Sequence, residues 1–250
     1  MISLIKREWK GYLGSPLIFL IIIFLLYSYA ERQETNETYE IYLLRVLTYY
    51  HLLIFCMIPV FLLSIYRNLS DDLSYVLIRF TKFASYFYTK WLGIFMFSAF
   101  FVALQVITVC LVGIGLPIGN YFSESLPAAD TLFQTFKNSF STPLATLIYS
   151  SVYMVAGLSF VGITITTLYH FFDRRFVVIL IMFVYLVMIV GLKIEAIGNL
   201  PFITMNRYII LHHNIIMPNG VLWSITGMIS LTFIQSIIIQ KAWHWKETGK

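Results

Sequence analysis

Charge is scarce in this chain. Only 12% of its 250 residues are Asp, Glu, Lys or Arg, while 59% are hydrophobic and 18% aromatic; an average soluble domain carries about 25% charged residues. That balance excludes a water-soluble globular domain and points to a polytopic membrane protein. The formal charge of +5 would suggest nucleic acid as a partner of a soluble protein. In a membrane protein its distribution across the bilayer is what matters, and no nucleic acid is expected. Cysteine is nearly absent: Cys56 and Cys110 lie inside apolar runs, placed neither as metal ligands nor as exposed disulfide partners, and read as buried free thiols.

Catalytic motifs are missing as well. No GxxxxGK[ST] phosphate loop is present, so the chain is not expected to bind ATP itself. Gly157-Leu158-Ser159 begins like a serine nucleophile motif, but the second glycine of that motif is missing and nothing marks a partner base. There is no HExxH and no carboxylate pair in an apolar run, and the adjacent His212 and His213 would point apart on a helix or strand rather than grip one metal. An intramembrane hydrolase is a weak alternative; the chain is expected to be no enzyme and to hold no cofactor or metal.

What is present is a series of long apolar runs. The opening MISLIKREWKGYLGSP places Ile2, Ile5, Trp9 and either Tyr12 or Leu13 on one helical face and Lys6, Arg7 and Lys10 on another, which predicts an interfacial helix over residues 1–15, ended by Gly14, Ser15 and Pro16. The run after it is read as a first span rather than a signal peptide. Spans are expected at about 16–30, 46–66, 91–117, 143–169, 176–192 and 221–240. The fold class is therefore all-α, a single membrane domain of six helices, with residues 31–45 as a polar loop. The fourth span is rich in Ser, Thr, Gly and Ala, residues that let helices pack closely. Residues 193–220 are too polar to cross and too apolar for a free linker, and are expected on the outer surface as short interfacial helices. His51 and Gln105 are the main polar residues inside spans, read as hydrogen-bonded packing groups.

Between the second and third spans lies a polar island, residues 67–90. Leu73, Val76, Leu77 and Phe80 fall at i, i+3, i+4 and i+7 on one face of a short helix. Ser70 can cap it, Asp71 and Asp72 favour its positive end, and Arg79 and Lys82 its negative end. Two readings stand: a helix lying in the lipid headgroups, or a docking surface for something outside the membrane.

Six spans put both termini on one side. With them go the loop 67–90 and Arg174 and Arg175, so that side holds 12 of the 17 Lys and Arg residues, which assigns it to the cytoplasm of a cell-membrane protein. The same distribution leaves every Asp, Glu, Lys and Arg outside the expected spans. Ion-coupled transporters keep such residues in the membrane, so any active transport here must draw its energy from another protein.

In this layout the chain resembles the ABC-2 type permeases, the membrane subunits of ABC exporters: a basic amphipathic N-terminal segment with a small-residue turn, six spans, the cytoplasmic stretch DDLSYVLIRFTKFASYFYTKW, and an outer helical segment before the last span. The resemblance covers nearly the whole chain and rests on layout. In many members the cytoplasmic loop has an acidic residue, a leucine-rich turn, a basic residue and a lysine opening the third span; Asp72, Leu73, Leu77, Arg79 and Lys90 stand in those places. Thr81-Lys82-Phe83 departs from the proline-containing turn common there.

The resemblance implies that Asp72, Leu73, Val76, Leu77, Arg79 and Phe80, with the segment holding Lys6, Arg7, Trp9 and Lys10, dock on cytoplasmic ABC ATPase subunits that bind ATP and Mg. It also implies a second permease subunit, identical or related. With apolar walls and no fixed intramembrane charge, the expected cargo is amphipathic or hydrophobic: a peptide, toxin or lipid-like compound, exported for self-protection. Glu31, Glu34, Glu37 and Glu40 would either attract a cationic peptide or be solvated loop charge. The rival reading is a membrane scaffold or immunity protein without transport.

Overall fold

A computed structural model of the chain describes residues 12, 14–34, 38–70, 83–119, 122, 131–198 and 204–248. Every regular element among them is helical: α1 (Ser15–Glu34), α2 (Tyr39–Thr48), α3 (Tyr50–Leu52), which continues through a π-turn at Leu53–Met57 into α4 (Ile58–Ser70), α5 (Phe83–Gly113), α6 (Thr131–Ser139), α7 (Pro143–Phe171), α8 (Arg174–Gly191), the short α9 (Glu195–Gly198), α10 (Met205–Ile209) and α11 (His212–Ile215), and α12 (Gly220–Thr248). Five stretches are long and apolar enough to cross a membrane: Pro16–Gln33, Tyr50–Leu69, Ala84–Gly113, Pro143–Phe171 and Gly220–Lys241. They define an all-helical membrane protein. α8 is apolar too, but its stretch Arg175–Gly191 falls just short of the 18 residues of the shortest of these five.

The two longest-packed helices, α5 and α7, form the centre. α7 touches α2, α4, α5, α8, α10 and α12, and α5 touches α1, α2, α7 and α12. Helices surrounded by lipid tails gain little from apolar burial alone and associate through close packing. The small residues of α7 provide it. A Cβ on Gly162 would stand 2.7 Å from the Ile94 side chain of α5, so the glycine lets the two helices meet. The neighbouring hydroxyls are consumed within α7: Ser159, Thr164, Thr166 and Thr167 each donate to the carbonyl four residues earlier, at 2.6 to 2.9 Å. They line no polar path. On the other side of α5, Phe97 stacks on Tyr12 with centroids 4.3 Å apart, and Phe61 packs against Phe97 and Phe101. Tyr12 is thus buried in the bundle.

The π-turn has an identifiable cause. Proline has no N–H, and its ring collides with the carbonyl four residues before it in a regular helix. Pro59 therefore leaves an unpaired acceptor in the preceding turn, and the chain widens there: the Ile58 N–H bonds to Leu53 O, five residues back. The stranded Ile54 carbonyl is met from α8, whose Tyr185 hydroxyl donates to it at 3.1 Å. An unmet carbonyl in lipid costs several kcal/mol, so this bond fixes α8 against the α3–α4 unit.

Two expectations about boundaries change. The described residues of 31–45 are almost all helical. α1 continues to Glu34, and Tyr39–Thr48 forms a helix with eight buried residues that packs on α5 and α7; the chain breaks at Tyr49, in extended geometry, before the next span starts at Tyr50. Its charges are met locally. Glu40 accepts from the Gly119 N–H at 3.0 Å, and Arg45 lies 3.5 Å from Glu31 and over the Phe133 ring. Arg32 donates to the Val112 carbonyl at the end of α5. Glu31 and Glu40 are thereby engaged in structure rather than held out as solvated loop charge. The helix of the third span is already formed at Phe83, well before Trp91: Tyr86 and Phe87 pack against His170 of α7 and the Lys90 ammonium sits over the Tyr86 ring.

The segment before the last span also differs. Tyr208, Ile209, Ile210 and Leu211 are buried, and α10 lies on α7 at Gly157. Gly157 is the middle residue of its 29-residue helix, so roughly 20 Å of α7 extends to either side. Residues 204–220 thus fold back into the bundle from the end at which Tyr50 lies. Asn219 closes the turn into α12 with φ of 58°, a conformation asparagine tolerates.

Candidate functional site

A sideways cleft of about 880 Å³ opens between α5, α7 and α12. Each helix contributes the face its sequence leaves apolar: Trp91 and Phe95 from α5, Tyr149, Ala156, Phe160 and Ile163 from α7, and Val221, Ile225, Met228 and Phe233 from α12. From Tyr149 to Ile163 the cleft follows α7 for about 20 Å. Among the described residues, no charged side chain lines it. Its polar groups are few, and one of them, the Trp91 indole N–H, has no hydrogen-bond partner. At the Arg67 end it is closed by a clasp in which Tyr88 meets Ser236 at 2.7 Å and accepts from Gln240 at 2.8 Å. Higher up, Gln235 donates to Thr164 at 2.9 Å. These bonds hold α12 across α5 and α7 while leaving the cleft between them open.

The upper wall is set by a hub around Asn214. Its amide donates to the Tyr153 hydroxyl at 2.7 Å and to the Arg207 carbonyl, and its oxygen accepts from Ser224 at 3.0 Å. Tyr153 also donates to the Arg207 carbonyl at 2.6 Å. One side chain, 1% exposed, therefore ties α7, α10, α11 and α12 together. Beyond the hub lies a separate polar pocket of about 380 Å³, bordered by Tyr50, Lys193, Asn206, Arg207, His212 and His213. Burial holds both imidazoles below the usual histidine range, with His213 adding to the effect on His212 and the Arg207 charge to that on His213.

Comparison with known proteins returns nothing. No protein-family pattern, curated protein or solved structure matches the chain. The geometry alone must carry the functional reading.

Most residues singled out in the sequence fall elsewhere. Lys6, Arg7, Trp9 and Lys10, and Asp72, Leu73, Val76, Leu77, Arg79 and Phe80, lie outside the described residues. Lys90 is described and buried beneath Tyr86. His51 is exposed and lies tilted against Tyr50 with centroids 3.9 Å apart, whereas Gln105, 1% exposed, has neither amide atom hydrogen-bonded. His212 and His213 do not point apart: their rings are 4.3 Å from one another and border the same pocket. Among the described residues no group of three or more His, Cys, Asp or Glu side chains could hold a metal ion. Sequence reasoning missed the cleft and the Asn214 hub. The cleft had a trace in the small residues of the fourth span; the hub joins residues 7 to 61 positions apart and left none.

Proposed function

We propose that this chain is the permease subunit of an ATP-driven exporter and moves an amphipathic or hydrophobic molecule out of the cell. The cleft carries the reading. A cargo with a large apolar surface gains by leaving its polar part at a membrane face while its body slides along walls of Phe, Ile, Leu and Met; a charged sugar or nucleotide would meet no Lys or Arg there. In this arrangement α8 is a sixth crossing, shortened because residues 204–219 fold back into the bundle beyond it. The Arg67 end and both termini face the cytoplasm, following the excess of basic residues on that side. A separate ABC ATPase docks on residues 67–90 and the N-terminal segment, binds ATP and Mg, and drives a pair of permease subunits. Absence of a phosphate loop in this chain is consistent with that division.

The test is to fill the cleft. Ala156 is exposed on α7 and borders it, so Ala156→Trp narrows the passage without disturbing packing on the other faces of the helix. Co-reconstituted with its ATPase, the variant is expected to lose about tenfold in transport of a fluorescent amphipathic peptide, a change of about 1.4 kcal/mol in barrier, while ATP hydrolysis persists. Unchanged peptide transport, or equal loss with a polar polymer as cargo, would remove the cleft from the pathway.

A further inference from the structure

The polar pocket at the Tyr50 end is built for a ligand that the transport reading does not use. Two cations border it, Lys193 and Arg207. Lys193 is exposed and has no ion-pair partner among the described residues. The Arg207 guanidinium is oriented by its Nε–H, which donates to the Gly198 carbonyl at 3.0 Å. Three polar atoms in the wall lack partners: Asn206 Oδ1, His212 Nδ1 and His213 Nε2. Asn206 is only 3% exposed and His212 9%, so these are buried groups whose hydrogen bonds must be supplied from the pocket or forgone at a cost.

Their chemistry is specific. His213 Nδ1 lies 3.3 Å from the Asn206 amide nitrogen; with that amide as donor, the proton of the neutral ring sits on Nε2, a donor directed to no acceptor. Asn206 Oδ1 is the converse, an acceptor without a donor. A ligand that satisfies both carries negative oxygens for Lys193, Arg207 and His213 together with a hydroxyl for Asn206. Beside these groups the rim turns apolar at Leu192, Ile216 and Met217, with Ile216 68% exposed at the surface that lipid would cover.

We infer that this pocket binds a hydroxyl-bearing phosphate ester of the kind a glycerophospholipid headgroup presents, its phosphate against Lys193 and Arg207 and its hydroxyl on Asn206. Soluble glycerol phosphate offers the same headgroup chemistry, and the two sources separate by experiment.

The full chain, purified in a neutral detergent, is titrated with short-chain phosphatidylglycerol or phosphatidylcholine, and bound lipid is counted by native mass spectrometry. Saturable preference for phosphatidylglycerol is expected, weakened by about tenfold in each of Lys193→Gln and His213→Gln, with phosphatidylcholine binding unchanged. Lys193 is exposed, so its variant keeps the fold even if the histidine change does not. Glycerol 3-phosphate that displaces the lipid at comparable concentration identifies a soluble ester as sufficient; failure to displace identifies the lipid, whose chains the apolar rim then holds. Equal binding of the two lipids, or phosphatidylglycerol binding indifferent to Lys193→Gln, overturns the assignment.

Discussion

Gly157→Ala is expected to destabilise the protein by about 3 kcal/mol or more, the upper range for inserting a methyl group into a packed interior. A Cβ at this position would stand 1.8 Å from the Tyr208 carbonyl oxygen, 2.5 Å from its carbon and 3.0 Å from Ile209 Cα. All three are backbone atoms, so no rotamer change relieves the contact; either α7 shifts or residues 204–211 lift away. Lifting them also breaks the bonds that meet the Arg207 carbonyl. Gly162→Ala is the control. Its Cβ meets the Cγ2 methyl of Ile94 at 2.7 Å, a side-chain atom rather than backbone; Ile94 can yield only by turning about χ1, which is stiff in a helix, and the expected cost is about 2 kcal/mol, below that of Gly157→Ala. Detergent-induced unfolding followed by tryptophan fluorescence should rank Gly157→Ala below Gly162→Ala. Equal stability of the two would mean that α10 does not lie on α7.

Replacing Asn214 is expected to have the next largest effect. Asn214→Leu strands the Ser224 hydroxyl and deprives the Arg207 carbonyl and the Tyr153 hydroxyl of a donor, with an unmet buried group costing about 1–3 kcal/mol. Asn214→Asp should be worse. It places a carboxylate, 1% exposed, beside a backbone carbonyl and removes both donors, and a buried charge without a partner is the more costly defect. Ser224→Ala deletes one hydrogen bond between side chains, for which about 0.6 kcal/mol is typical in membrane proteins. The same unfolding assay should give the order Asp, Leu, then Ala in falling severity. If Asn214→Asp is as stable as Ser224→Ala, the hub is not the tie between the re-entering segment and the helices.

The apolar spans were legible because lipid-exposed and buried helices both demand long runs without charge, and composition alone reports that demand. Helix α2 was not legible for the opposite reason. Glu40 and Arg45 carry the marks of a solvated loop in one dimension; only the three-dimensional partners, Gly119 N–H, Glu31 and the Phe133 ring, show how a buried helix can hold them. The π-turn could have been anticipated from Pro59, although its partner Tyr185 lies 131 residues away. Residues 204–220 mix His, Asn and Arg with Ile and Leu, a composition that fits the membrane surface. What draws them inward is a glycine in the middle of α7, and a small residue there says close approach without saying what approaches. The polar pocket escaped for a local reason: adjacent histidines diverge on regular helices and strands, but in the short turn of α11 their rings come side by side.

The transport reading stands or falls on a partner ATPase. The measurement that tests it most directly is Mg-dependent ATP hydrolysis by the tagged full chain, purified from membranes of the cells that make it, with and without an added amphipathic peptide. The spacing of Leu73, Val76, Leu77 and Phe80 in the sequence predicts that Leu77 and Phe80 share one helical face, so the double replacement Leu77→Asp and Phe80→Asp serves as the uncoupled reference; a carboxylate buried in a docking groove is strongly unfavourable. The account predicts hydrolysis that accompanies the wild-type chain, rises with peptide, and disappears from the double variant while that variant remains monodisperse and as stable as wild type. ATP hydrolysis no greater than in a mock purification, or hydrolysis untouched by the double replacement, would contradict it and leave the chain as a membrane scaffold.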